Sequence, residues 1–116
     1  MTSDAIEILH GGAERLAVNW INADPAPARI SRYRVGPGKS VSMHVHTGKA
    51  EHWVIVAGEG IVRVGEESFP VKPGDVVHTP PTVPHGLTTT SAEPLIFLNI
   101  VQPTGEGPIT STEVAP

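Results

Sequence analysis

Glycine and proline punctuate this chain throughout, 12 of each among 116 residues, and they leave little room for long helices. Between them lie short runs rich in Val and Ile, whose branched Cβ suits extended backbone better than helix. An all-β chain is therefore predicted. Strand-like runs cover about Arg15–Ile21, Arg29–Val35, Ser40–His46, Glu51–Ala57, Gly60–Val64, Ser68–Val71, Val76–Thr79, His85–Thr90 and Leu95–Val101, about nine in all. Asn22 to Pro27 and Gly36-Pro37-Gly38 break the first three apart. Gly58-Glu59-Gly60 and Gly65-Glu66-Glu67 read as hairpin turns, and Lys72-Pro73-Gly74-Asp75 places Pro and Gly at the centre of a type II turn. Such even spacing predicts a sandwich or barrel.

The length fits one core, so the chain divides into an N-terminal segment 1–13, a barrel 14–102 and a tail 103–116. Ile6, Ile8 and Leu9 form too short a pattern to choose between a helical turn and a strand. The tail, rich in Thr, Gly, Pro, Ser and Glu, is predicted to fray or cross the surface. With eight dispersed Lys and Arg and a net charge of −4, nucleic acid and anionic membrane surfaces are disfavoured partners. Cysteine is absent, so any metal must be held by His and carboxylate. No apolar run has signal-peptide or membrane-span length, which makes a cytoplasmic protein the simplest expectation.

Four residues carry the chemistry. In a strand, residues i and i+2 share a face, so His44 and His46 project side by side. After the turn Thr47-Gly48-Lys49-Ala50, Glu51 opens the next strand within reach of the same point, and His85 arrives from farther along. Three imidazoles and a carboxylate suit one divalent transition ion, Mn, Fe, Co, Ni or Zn, without choosing among them. Taken alone, His-x-His also arises by chance on a solvated strand, and His85 reads equally as a turn residue.

The spacing Gly38-x5-His44-x-His46-x4-Glu51-x6-Gly58 resembles the first motif of the cupin superfamily at every position, and Pro80-Pro81-Thr82-Val83-Pro84-His85 resembles its second, Pro-x-Gly-x-Pro-His. The resemblance spans roughly Gly36 to Val101. It implies a double-stranded β-helix, or jelly-roll barrel, with His44, His46, Glu51 and His85 as metal ligands. Thr82 stands where the family usually has Gly, and no Asn follows His85 near Thr89, as is usual there.

Strand parity adds a second expectation. With His44 and His46 facing inward, Val41, Met43 and Val45 face outward; with Glu51, Trp53 and Ile55 inward, Val54 and Val56 point out. Strands apolar on both faces need a cover. A homodimer is predicted, with cover by Arg15–Ile21 within a monomer as the alternative. By the same alternation His52 faces away from the ligands, in a supporting or interface role. The facing of His78 is open, and His10 is placed at the surface. Trp53 either walls the cavity or simply packs. Arg32, Arg34, Lys39, Lys49 and Arg63 are candidates to meet an anionic substrate, although dispersed basic residues are usually solvated.

Within the cupins, Lys49-Ala50-Glu51-His52-Trp53 is similar to the Arg-Ala-Glu-His-Trp stretch of the type II mannose-6-phosphate isomerase domain, which usually carries Gln in place of His44. That likeness implies a small polar substrate such as a sugar phosphate. An Fe(II) dioxygenase and a non-enzymatic small-molecule binder or sensor are the other readings the ligand set allows, and no catalytic base is identified.

Overall fold

A computed structural model describes residues 6–114. It contains eleven strands: β1 (Ile6–Ile8), β2 (Glu14–Ala17), β3 (Arg29–Val35), β4 (Ser40–Thr47), β5 (Lys49–Ala57), β6 (Gly60–Val64), β7 (Glu67–Val71), β8 (Val76–Thr79), β9 (His85–Thr89), β10 (Leu95–Pro103) and β11 (Thr110–Glu113). The nine expected runs all form strands, with the first shortened to Glu14–Ala17. The strands make a six-stranded sheet in the order β1-β2-β3-β10-β5-β8 and a five-stranded sheet in the order β11-β4-β9-β6-β7, both antiparallel. This is the double-stranded β-helix that the motifs imply. No described helix is long and apolar enough to cross a membrane. Part of the N-terminal segment, residues 1–5, and the last two residues of the tail lie outside the described range.

The inner faces of the two sheets meet in a core of Val35, Trp53, Ile55, Val62, Leu95 and Phe97, each at most 1% exposed. Phe97 stacks between Tyr33, at 4.7 Å between ring centroids, and Trp53, at 4.6 Å. Burial of each such side chain stabilises the barrel by about 1.5–3 kcal/mol. Three aromatics from β3, β5 and β10 thus tie the strands that carry one side of the cavity.

Two local features depart from simple alternation. A bulge in β4 puts two residues, Ser42 and Met43, opposite one, Gly86, between the Val41–Leu87 and His44–His85 pairs. The extra residue slips the parity, so Val41 is buried in the core and not outward as alternation predicts. Opposite the bulge, a Cβ on Gly86 would lie 2.8 Å from the Val41 carbonyl oxygen, so only glycine lets β9 approach this closely. The tail, for its part, crosses the surface and returns: β11 pairs with β4, with Thr47 Oγ1 2.6 Å from Thr110 Oγ1.

Candidate metal centre

His44 and His85 are direct partners across β4 and β9, in the five-stranded sheet. Glu51 reaches them from β5, which follows β4 in sequence but belongs to the other sheet; Gly48, at φ +76°, makes the corner between the two. One nitrogen from each of the two rings and one Glu51 carboxylate oxygen all lie within 4.8 Å of one another. Each imidazole is oriented by the chain just before it. His44 Nδ1 lies 3.0 Å from the Ser42 carbonyl and His85 Nδ1 3.0 Å from the Val83 carbonyl. A carbonyl only accepts, so Nδ1 carries the proton on both rings and Nε2 keeps its lone pair.

His46 is fully buried beside this trio, with its ring 4.6 Å from that of His85. Its Nε2 lies 3.4 Å from Thr79 Oγ1 and 3.9 Å from Glu51 Oε1, and its Nδ1 has no partner. The structure therefore brings three of the four expected ligands together and holds the fourth alongside. Buried polar atoms are nearly always hydrogen-bonded. Here two imidazole nitrogens, Nδ1 of His46 and Nε2 of His85, are not. A nitrogen and oxygen donor set with unpartnered lone pairs fits a divalent transition ion.

Electrostatics favour the ligand forms. Burial alone would raise the Glu51 carboxyl, but Lys49 Nζ at 2.9 Å and the Trp53 indole, donating at 3.2 Å, outweigh it and hold the acid down to about 2. Burial, aided by His44 and His46, outweighs the Val83 hydrogen bond and Glu51 and lowers His85 to about 4. His46 is lowered as well, chiefly by burial. At neutral pH the centre thus presents an ionised carboxylate and neutral imidazoles at His46 and His85.

A cavity of about 430 Å³ opens over His44 and Glu51, lined also by Trp53, Lys49, Arg15 and Arg29 among others, with His85 buried behind it. Trp53 both walls this cavity and packs against Phe97. Of the five basic residues expected as candidates, only Lys49 lines it. Arg15 and Arg29 were not anticipated, yet alternation contains the signal: Arg29 shares its face with the buried Tyr33 and Val35, and Arg15 pairs with Tyr33. Arg32 and Arg34 have the opposite parity and are exposed. One wall comes from the tail, where Glu113 accepts from Ser42 Oγ at 2.5 Å and meets His10 at 3.5 Å.

The comparisons agree with this architecture. The family model described as "Cupin domain" matches residues 31–101. An oxalate-binding protein of Thermotoga maritima is 30% identical over 105 residues, 87% of each chain. A mannose-1-phosphate guanylyltransferase of Klebsiella pneumoniae is 37% identical over 71 residues, which is 61% of this chain but only 15% of that enzyme. A solved structure from Thermotoga maritima, described as a predicted oxalate decarboxylase, superposes with a TM-score of 0.70 at 31% identity, covering 80% of this chain and 82% of that one.

Proposed function

The chain belongs to the cupin family, and from that membership and the charge of its cavity we propose that it binds a small chelating dianion of the oxalate class on one divalent transition ion. His44, Glu51 and His85 would hold the ion, with His46, whose Nε2 lies 3.9 Å from Glu51 Oε1, as the fourth ligand. The observation that carries the reading is that Arg15, Arg29 and Lys49 line the same cavity as His44 and Glu51. In a chain of net charge −4, three cations against two carboxylates, Glu51 and Glu113, together with a bound divalent ion, leave the cavity positive and suit an anion. The ion, when bound, supplies a Lewis-acid centre for the anion's oxygens. Lys49 and Arg29 orient the rest of the anion, and Trp53 shields Glu51 from water. An ionised Glu51 and a neutral His85 are in the forms that ligate a metal. The oxalate-binding relative points to the same ligand class.

Calorimetric titration of oxalate into Mn(II)- or Co(II)-loaded protein tests this. Binding is expected at one equivalent, absent from His85→Ala and about tenfold weaker in Arg29→Ala, a loss of about 1.4 kcal/mol. Oxalate binding unchanged in His85→Ala would overturn the metal reading. Turnover of a mannose phosphate in place of oxalate binding would move the assignment to an isomerase, and O₂ uptake by the iron-loaded protein would move it to a dioxygenase.

We also propose that a second copy covers the apolar row on the outer face of the six-stranded sheet, leaving the His52–His78 pair at its margin. Of the segment that would provide cover within one chain, Glu14–Ala17 extends the sheet edge beside β3 instead of lying over its face. The pairing register aligns Ile6, Leu16, Arg32, Leu98, Val54 and Val76 in one row across that face. Glu14 and Arg34 lie in the next row, so the patch carries both signs and can meet its own image about a two-fold axis. The mass in solution decides this point.

A further inference from the structure

We propose that His52 and His78 form a second transition-metal site, on the outer face of the six-stranded sheet and separate from the cavity, suited to a borderline ion such as Zn(II), Ni(II) or Cu(II). The two residues are direct partners across β5 and β8. Their Nδ1 atoms face each other at 3.4 Å. A tetrahedral ion with nitrogen ligands at about 2.0–2.1 Å separates those nitrogens by roughly 3.3–3.4 Å. The ring centroids are 5.1 Å apart and the planes only 22° from parallel. Centroids farther apart than the nitrogens place the two Nδ1 atoms on the near sides of the stacked rings, so that a small rotation of the exposed His78 ring brings both in-plane lone pairs onto one ion.

The protonation pattern supports the same assignment. Gln102, on neighbouring β10, lies with Oε1 2.8 Å from His52 Nε2. An amide oxygen only accepts, so Nε2 is the protonated nitrogen and Nδ1 bears the lone pair aimed at His78. A hydrogen-bond acceptor behind an imidazole is the arrangement that orients a metal-binding histidine and fixes its tautomer. β8 is the edge of the sheet and His78 is exposed, so water can complete the coordination. An ion here would staple β5 to β8 directly behind Glu51 and Thr79, which point the other way into the barrel.

Zn(II) titration of the chelator-stripped chain tests the proposal. Wild type is expected to take up one more equivalent than His78→Ala, whose exposed side chain can be removed without opening the core. Gln102→Ala should weaken the same equivalent several-fold by releasing the His52 ring. The difference should persist when His78→Ala is made in a His85→Ala background, which assigns it to the outer pair whatever the cavity binds. Identical stoichiometry and affinity in wild type and His78→Ala would overturn the site.

Discussion

One strand, β5, shows two different surfaces. Its inward residues Glu51, Trp53 and Ile55 are 5%, 1% and 1% exposed, whereas outward Val56 is 51% exposed and His52 and Val54 are half-buried. The inward side collects costs of polar burial: unpartnered nitrogens on His46 and His85, an unpartnered Oδ1 on Asn99, and an ion pair between Lys49 and Glu51. Each unpartnered buried polar atom costs about 1–3 kcal/mol. The outward side has the reverse character, with His52 oriented by Gln102 and a row of apolar side chains facing out. Alternation lets a nine-residue strand serve a site on one face and an interface on the other. Each face can be perturbed without rebuilding the other.

Acid should strain the inner face most. In the metal-stripped protein the His85 imidazole titrates near 4, below its usual 6.5, so between those values the unfolded chain binds a proton that the folded chain refuses. Stability is full above pH 6.5 and falls as pH drops toward 4, by up to about 3 kcal/mol at about 1.4 kcal/mol per unit. Glu51 acts in the same direction lower down: its contribution is full above about 4.5 and is lost as pH falls through about 2. Urea unfolding at pH 7, 5.5 and 4 reads this. The loss between 7 and 4 should flatten in His85→Ala, and a flat wild-type profile would show that the inner face is not desolvated.

The outer face should respond to charge. Leu98→Asp places a carboxylate in the centre of the apolar row, between Arg32 and Val54, and should weaken self-association by about 2 kcal/mol or more. Light scattering is expected to find two chains per particle for wild type and one for the variant, with metal content unchanged. A wild-type mass of one chain would break the comparison on its outer side.

Much of this was legible in the sequence, for physical reasons that particular residues show. The period of two and the turn residues located the nine barrel strands, and alternation gave the facing of Glu51, Trp53 and His52. The same rule failed at Val41, because a bulge adds one residue and bulges leave no mark in hydrophobic pattern beyond a permissive Gly86 on the partner strand. Applied to the basic residues of β3, the rule separates Arg32 and Arg34, which face out, from Arg29, which shares the parity of Tyr33. The pairings of β1 and β11 were not legible, since these short strands are wholly exposed and acquire a preference only from the edges they meet. The facing of His78 needed the β5–β8 register, a long-range property.

The smallest effect separates the inner face's strain from its chemistry. Thr82 sits in the turn that delivers His85, at φ +68°, a left-handed conformation that a β-branched side chain resists. The conformation is held because Thr82 N donates to the His46 carbonyl at 2.7 Å, tying the turn to the strand that carries His44. Glycine, the usual residue of the family motif here, removes the strain of about 1–2 kcal/mol but adds unfolded-state freedom worth about 0.4–1 kcal/mol. Thr82→Gly should therefore raise stability by no more than about 1.6 kcal/mol in urea melts and leave metal affinity unchanged, because the backbone hydrogen bond survives. A destabilised Thr82→Gly with weakened metal binding would mean that the stiffness of Thr82 itself positions His85, and that strain and chemistry on the inner face are one property rather than two.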